Sequence, residues 1–300
     1  MSFYLLVGIS FFSGIILQRG HIDTARWVAV LNHYIIFLAL PALILLKVPG
    51  IELTPAALFP MLVPWMLVAL SFALAYSLGK YLGWPAEIAG AVALLMGLGN
   101  TAFFGLPLVD FYLGEEAVPA AVIYDQLGSF LVLSLVATTS IALLLGQREA
   151  IKAKDLLWRV LSFPPFLSLI LALLLPAGSL PEALAKIFSL LGASILPLAM
   201  LMVGLQLSVN ILPAQRGPML LVSAWKLLLT PLLVLALGKA LAIDARVLAP
   251  SFLQSAMPPM VTPAIMLIGA GIAPRFVATT LGLATLASFI SVPLWCYWIL

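Results

Sequence analysis

The chain has 300 residues, of which 64% are apolar and 8% are charged, and its net charge is +3. Soluble globular domains carry about 25% charged residues, so this composition excludes a soluble protein and indicates an integral membrane protein in contact with membrane lipids. The basic residues are scattered between apolar runs and form no patch, which excludes a nucleic-acid partner.

Ten apolar runs, bounded by charges, glycine or proline, predict membrane-spanning helices. A span needs about 20 apolar residues, and these runs are too continuous for the alternating strands of a membrane β-barrel. The first run has no basic segment before it and no clear cleavage site after it, so it is interpreted as a span and not as a removed signal peptide. The sequence therefore predicts an all-α polytopic membrane protein, with spans at residues 2–18, 27–47, 57–79, 86–113, 118–146, 159–176, 183–207, 217–238, 246–271 and 275–299.

The two halves of the chain repeat each other. Leu78-Gly79-Lys80 recurs as Leu237-Gly238-Lys239, and Leu127-Gly128-Ser129-Phe130 recurs as Leu286-Ala287-Ser288-Phe289, both at an offset of 159 residues. Five predicted spans precede the central polar connection and five follow it. Because five is odd, the second half enters the membrane from the opposite side, which predicts an inverted repeat with units 1–147 and 155–300.

The distribution of Lys and Arg predicts the orientation of the chain. Connections after odd-numbered spans hold most of these residues, and the central connection, 146–159, is the richest. We therefore place this connection in the cytoplasm and both termini outside the plasma (inner) membrane. The residues on the predicted cytoplasmic side are Arg19, Arg26, Lys80, Arg148, Lys152, Lys154, Arg159, Arg216 and Arg275, against Lys47, Lys186, Lys239 and Arg246 on the other side.

The fourth predicted span contains a helix-breaking patch. Gly97, Gly99 and Gly105 lower the cost of unwinding, and Pro107 removes a helical hydrogen bond. Asn100 adds an amide that can donate to a ligand and accept from freed backbone groups. The patch predicts a broken helix, with a continuous but kinked helix as the alternative.

The ninth predicted span is interrupted at a similar depth by Pro258, Pro259 and Pro263, which cannot all lie in one unbroken helix. Irregular backbone inside a bilayer is tolerated only where it is buried or lines a cavity. Two broken helices that cross from opposite sides direct half-helix N-termini, each with about half a positive charge, at one point. Such a point attracts a carboxylate. The candidate substrate-binding residues are Gly99, Asn100, Thr101, Gln254, Pro258, Pro259, Thr262 and Lys226.

Other polar residues interrupt the predicted spans. Lys226 lies inside the eighth span, where a charge is costly and marks a functional candidate; it pairs with substrate or with a carboxylate, or it extends to the membrane interface. Tyr124, Asp125 and Gln126 interrupt the fifth span and predict either a proton-carrying or gating carboxylate or a polar cluster that faces an outer vestibule. The acidic residues at 110–116 are interpreted as solvated loop charges.

The sequence carries no enzyme signature. It has no His-Glu-x-x-His, no Gly-x-Ser-x-Gly and no phosphate-binding glycine loop. A single cysteine excludes an internal disulfide and a cysteine-cluster metal site. We therefore expect no enzyme activity, no metal and no resident cofactor, while the coupling ion, H⁺ or Na⁺, stays open.

Short motifs at both breaks resemble those of the auxin efflux carrier family, which includes plant auxin carriers and bacterial malate or malonate permeases. They are Gly97-Leu98-Gly99-Asn100-Thr101 with Gly105-Leu106-Pro107-Leu108, and Ala256-Met257-Pro258-Pro259 with Leu286-Ala287-Ser288-Phe289. The resemblance covers the whole chain and implies an elevator-type secondary transporter. In it, spans 1, 2, 6 and 7 form a scaffold and dimer surface, and spans 3–5 and 8–10 form a moving transport domain.

The resemblance also implies roles for individual residues and partners. The family's crossover asparagine corresponds to Asn100, and Thr262 stands where members often have a second asparagine. The implied protein is a homodimer that carries small organic anions, either auxin-like acids or dicarboxylates. Two alternatives stay open: a sodium-coupled bile-acid-type symporter, and a membrane-embedded sensor that binds a similar ligand without moving it.

Overall fold

The computed structural model describes residues 2–20, 22–51, 54–147, 152–207 and 213–299, and within these ranges it contains helices and no strand. Arg148 of the central connection lies outside the described residues. The helices are α1 (Ser2–Gln18), α2 (Thr24–Lys47), α3 (Pro55–Leu82), α4 (Ala86–Gly97), α5 (Thr101–Leu113), α6 (Glu115–Leu144), α7 (Ala153–Leu161), α8 (Pro164–Leu174), α9 (Glu182–Leu205), α10 (Arg216–Ala240), α11 (Ala245–Ser255), α12 (Val261–Gly269) and α13 (Pro274–Ile299).

The protein is an all-helical polytopic membrane protein. Within the described ranges, six helices are long and apolar enough to cross a membrane by themselves, namely α2, α3, α6, α9, α10 and α13. The bent pair formed by α7 and α8 adds up to one more, and shorter apolar helices include α1, α4 and α5. The count of ten spans and their arrangement as an inverted repeat stay predictions.

The central connection differs from the prediction of a polar loop that leads into a span at residue 159. The structure has helix α7 there, and α8 begins at Pro164 with a bend of 59° between the two helices. α7 forms because apolar and charged residues alternate at helical spacing, with Val160 buried and Trp158 exposed. It ends before Pro164 because proline cannot continue the preceding turn. The Arg159 guanidinium donates to the Thr138 hydroxyl of α6 at 2.8 Å.

Two sets of helices pack mainly among themselves. In the first set, α1 packs along α9, and α2 packs against α8 and α9. In the second set, α3 packs against α4 and α6, while α13 packs against α10 and α12. Helix α11 lies within the second set, where it contacts α3, α5 and α6. Helices from both halves of the sequence therefore meet inside each set.

Helices α1 and α9 cross at a point where only glycine fits. A Cβ atom on Gly14 would lie 2.8 Å from the Cα atom of Gly204, and a Cβ atom on Gly204 would lie 2.9 Å from the Cα atom of Gly14. Small residues allow membrane helices to approach with their backbones in contact, which increases van der Waals attraction where no hydrophobic driving force acts.

Three helices contain a five-residue π-helical stretch directly before an X-Pro pair. Proline lacks an N–H group, and its ring collides with the carbonyl group four residues earlier, so the preceding turn widens. Two of these stretches hold candidate site residues, Thr101 and Lys226. The stretches are Ile35–Ala39 before Pro41, Thr101–Gly105 before Pro107 and Trp225–Leu229 before Pro231.

Candidate functional site

The two predicted helix breaks are present, and they cross. Residues 98–100 separate α4 from α5, and residues 256–260 separate α11 from α12. Gly99 and Pro259 lie opposite each other in a short antiparallel pairing of the two breaks. The interrupted helices therefore converge on one point instead of facing lipid separately.

Two backbone hydrogen bonds hold this crossing together. The Asn100 N–H donates to the Pro258 carbonyl at 2.8 Å, and the Met260 N–H donates to the Leu98 carbonyl at 2.9 Å. These groups have no helical partner because glycine and proline have interrupted both helices. Their mutual pairing is what makes an extended backbone tolerable at this depth.

A cavity of about 50 Å³ lies where α5 and α12 begin. Ala102 and Phe103, from the first turn of α5, line it together with Met260 and Thr262 from the start of α12. Neither helix has a side-chain cap at this end. First-turn N–H groups without such a cap can bind an anion, and both helix dipoles are positive here.

A buried carboxylate lines the same cavity. Asp125 is 1% exposed, and its two oxygens accept hydrogen bonds from the Thr101 hydroxyl at 2.5 Å and from the Gln126 side-chain amide at 2.6 Å. The Gln126 carbonyl oxygen is buried without a hydrogen-bond partner in the structure. The remaining lining is apolar and comes from α2, α6 and the α7–α8 bend: Ile36, Leu40, Phe130, Leu133 and Phe163.

The position of Asp125 gives no support to the alternative of a polar cluster that faces an outer vestibule, although the sidedness of the membrane stays a prediction. Its carboxyl group is buried, and the cavity extends past Phe130 and Leu133 toward the end of α6 that precedes the central connection. The rings of Phe130 and Phe163 stack there with their centroids 3.9 Å apart. Tyr124, in contrast, packs into an apolar cluster with residues of α3, α10 and α11 and does not line the cavity. The structure therefore separates Tyr124 from its two sequence neighbours.

Lys226 lies on the other side of the crossing. It is 1% exposed, and its Nζ atom is 3.5 Å from the Ser255 carbonyl oxygen and 3.0 Å from the position that a Cβ atom on Gly99 would take. The alternative in which Lys226 extends to the membrane interface is therefore wrong. No Asp or Glu forms an ion pair with Lys226 in the described chain. It lies beside the C-terminal ends of α4 and α11, whose free carbonyl groups carry partial negative charge.

Two side-chain amides near the crossing keep free polar atoms. The Gln254 amide donates to the Ala121 carbonyl at 3.2 Å, while its own carbonyl oxygen is buried and has no partner in the described part of the chain. That oxygen lies so close to Gly105 that a Cβ atom there would overlap it. Asn100 is 4% exposed, and its side chain has no hydrogen-bond partner among the described residues. Such groups are rare inside proteins unless they serve a ligand or a conformational change.

Comparison with known proteins bears on this geometry. Residues 16–296 match the family described as membrane transport protein. The chain belongs to this family. It is the auxin efflux carrier family whose motifs the two breaks resemble.

Two archaeal relatives of the transporter extend over most of its length. An uncharacterized transporter of Methanothermobacter thermautotrophicus is 26% identical over 271 residues, which cover 89% of this chain and 87% of the relative. An uncharacterized transporter of Methanocaldococcus jannaschii is 25% identical over 308 aligned positions, which cover 99% of this chain and 96% of the relative.

A larger cavity of the transporter, about 540 Å³, opens beside α2 at the end of the molecule where α1 finishes, called here the Arg19 end. It lies between α2, α9, α12 and α13, and Ile36 of α2 borders both this cavity and the small one. Polar side chains line it among apolar ones: Gln18, Thr24, Asn32, His33 and Gln206.

The opposite end of the transporter, called here the Lys47 end, carries an ion-pair cluster. Lys47 Nζ, on α2, lies 2.9 Å from a Glu115 oxygen and 3.6 Å from an Asp110 oxygen. Glu115 is 81% exposed and Asp110 is 38% exposed, so both carboxylates are in contact with solvent as predicted, and the ion pairs with Lys47 are an addition to that interpretation. The cluster joins the first set of helices to the second.

Sequence analysis missed the apolar residues that line the small cavity. Phe163 gave no signal because it precedes a proline in an apolar run, and Ile36 and Leu40 resemble any lipid-facing residues. The X-Pro pairs carried an unused signal, because Pro41 marks the π-helical stretch of α2 that contains Ile36.

Proposed function

We propose that the transporter moves small organic anions, carboxylates in particular, across the plasma membrane by an elevator-type alternating-access mechanism. One observation carries this proposal: the uncapped N-termini of α5 and α12 line the same cavity. Because both dipoles are positive there, a carboxylate group is the ligand whose charge fits best.

Free polar groups and apolar walls support a carboxylate attached to a carbon skeleton. Thr262 lines the cavity, and Asn100, directly before α5, is not one of the lining residues but offers an amide that has no hydrogen-bond partner among the described residues. The apolar lining suits the carbon part of an acid. Lys226, beside Gly99, adds a positive charge behind the crossing that attracts an anion through the backbone strand.

The packing of the helices supports the elevator mechanism. The first set, around α1, α2, α8 and α9, would be the static scaffold and the dimer surface. The second set, around α3–α6 and α10–α13, would carry the crossing and move as the transport domain in an inverted repeat of ten spans. The excess of Lys and Arg supports an orientation with the Arg19 end in the cytoplasm.

Binding and counterflow of labelled acids test this function. Malate, malonate and indole-3-acetate are screened by thermal shift on the purified protein and then by counterflow in proteoliposomes. We expect a shift and counterflow with at least one acid. Asn100→Ala should weaken binding about 10- to 100-fold, because a hydrogen bond to a charged group contributes about 1.5–3 kcal/mol.

The matched control is Gln147→Ala, which removes an exposed amide far from the crossing. It should leave affinity and counterflow unchanged. A thermal shift without counterflow would support the sensor alternative, and no response to any of the acids would contradict the proposal.

A further inference from the structure

Two ionisable side chains lie on opposite sides of the crossing. Lys226 lies beside Gly99 on one side of the break, and Asp125 bonds to Thr101 on the other. Both are 1% exposed, and neither takes part in an ion pair within the described chain. The empty site therefore holds one potential cation and one potential anion, separated by the strand of residues 99–101.

Asp125 occupies the position that an incoming carboxylate needs. It lines the cavity with the first turns of α5 and α12, and it accepts the Thr101 hydroxyl at the beginning of α5. The negative charge of its carboxylate therefore already offsets part of the positive potential at these two helix N-termini. A second carboxylate in a cavity of about 50 Å³ would lie within a few ångströms of the first. Two like charges that close in a water-poor site cannot both stay ionised.

Within the described ranges, no titratable side chain besides Asp125 lines the cavity. On α2, beside Ile36, His33 lines the larger cavity and stacks on Phe37, and the Tyr34 hydroxyl bonds to Ser194. The segment Tyr124–Ser129 packs against α3, α5, α8 and its own flanking turns in α6. Of these, α5 carries only Asp110 and Tyr112, beyond Pro107, and α3 carries only Tyr76, Lys80 and Tyr81, in its last turns. The Trp65 indole of α3 donates to the Leu127 carbonyl, so Trp65 lies at the level of Asp125. Tyr76, Lys80 and Tyr81 follow more than ten residues later, and at about 1.5 Å of helix rise per residue they lie far from Asp125. Tyr124 packs away from the cavity.

We propose that Asp125 carries a proton that accompanies each organic anion, so that the transporter is a proton–anion symporter. On the side where the anion enters, the Asp125 carboxylate takes one proton from water and becomes a neutral acid. The neutral acid no longer repels the substrate carboxylate, which then occupies the two helix N-termini. On the other side the anion leaves and Asp125 returns the proton to water. This inference rests on the proposed function and adds its coupling ion.

Two side chains, Thr101 and Gln126, can bond to Asp125 both with and without its proton. The Thr101 hydroxyl donates to the carboxylate and can turn to accept from the protonated acid. The Gln126 amide donates to Asp125, and its carbonyl oxygen is buried without a partner among the described residues; a flip of this amide would present the oxygen as the acceptor for a proton on Asp125. The Gln126 carbonyl oxygen can therefore gain a hydrogen bond from Asp125 only when Asp125 is protonated.

The test measures protons and anions together in proteoliposomes. The labelled acid with the largest counterflow among malate, malonate and indole-3-acetate is taken up while an internal pH dye records proton entry. The wild-type protein should carry about one proton per anion, and an inward proton gradient should drive accumulation. The apparent Kd of the acid should rise about tenfold for each pH unit once Asp125 is ionised in the empty protein.

Asp125→Asn keeps a neutral side chain of the same size and separates coupling from transport. Whatever rate of counterflow this variant keeps, it should carry no proton with the anion, and its binding of the acid, measured by thermal shift, should lose the pH dependence. Asp155→Asn, an identical change on the exposed face of α7, is the matched control and should behave like the wild type. Wild-type uptake without proton entry, or unchanged proton coupling in Asp125→Asn, would overturn the inference while leaving the transport function intact. Absence of counterflow with all three acids would overturn both.

Discussion

Lys226 is buried, and no Asp or Glu pairs with it within the part of the transporter that the structure describes. Moving such a charge out of water costs several kcal/mol unless nearby groups offset it. Here the offset comes from backbone: the Ser255 carbonyl oxygen lies 3.5 Å from Nζ, and α4 and α11 both end beside it. The absence of a side chain on Gly99 provides the space, since a Cβ atom there would lie 3.0 Å from Nζ. Lys226 and Gly99 therefore depend on each other.

Replacement of Lys226 by methionine keeps the side-chain length and removes the charge. We expect Lys226→Met to abolish counterflow of the screened acids, because the carbonyl ends of α4 and α11 and the proposed substrate lose their counter-charge. Lys239→Met, on the same helix but exposed, is the matched control and should transport normally. Intact counterflow in Lys226→Met, measured in proteoliposomes, would remove Lys226 from the site.

At the level of helices, proline and glycine residues determine where α4–α5 and α11–α12 are interrupted, and two glycines determine the close contact between α1 and α9. Proline and glycine at 97–107 and 256–263 interrupt two spans, and the freed backbone groups find partners in each other. The contact between α1 and α9 depends on Gly14 and Gly204, which leave no room for a Cβ atom on either helix.

The glycine contact can be tested within one helix. Gly14→Ala should lower the free energy of unfolding by about 1–3 kcal/mol, the usual cost of overpacking, and should lower the melting temperature in detergent. Gly8→Ala, also in α1, meets nothing within 4 Å and serves as the control. Because alanine is a better helix former than glycine, Gly8→Ala should be neutral or slightly stabilising. Equal melting temperatures for both variants would contradict the packing argument.

The sequence was sufficient where structure follows from nearby residues. The helix breaks, the helical class and the choice of Asn100, Thr101 and Lys226 as candidate site residues follow from proline, glycine and isolated polar residues in apolar runs, and all three side chains are buried. The sequence was insufficient where distant helices meet. Phe163 reaches the cavity only because α7 and α8 bend, and Tyr124 turns away from Asp125 because successive helical residues face different directions.

For the molecule as a whole, the two ends differ. The Arg19 end holds a cavity of about 540 Å³ between the two sets of helices. At the Lys47 end, Lys47 bridges the sets through Glu115 and Asp110. A smaller cavity of about 350 Å³ lies beside this bridge and includes Leu196 in its wall. On the proposed alternating-access mechanism, we infer that this asymmetry reflects wider access from the Arg19 end than from the Lys47 end.

Charge reversal at the bridge should change which end is open. In a variant with Cys296→Ala and Leu196→Cys, a membrane-impermeant maleimide reports access to the cavity at the Lys47 end. Lys47→Glu places a third carboxylate beside Asp110 and Glu115, so repulsion should open this end and raise the labelling rate. Lys186→Glu is the control, because among the residues that the structure describes Lys186 pairs only with exposed Glu182 on its own helix. Unchanged labelling in Lys47→Glu would show that the bridge does not hold this end closed.

The backbone pairing between Leu98 and Met260 has a consequence for how the protein is made. A ribosome delivers residue 98 to the membrane long before residue 260, and at about 5–20 residues per second the interval is on the order of 10–30 s. During that time the nascent chain holds an interrupted segment whose amide and carbonyl groups have no strand to meet. Translation must therefore pass through a stage in which the insertion machinery, water or lipid headgroups shelter the unfinished half.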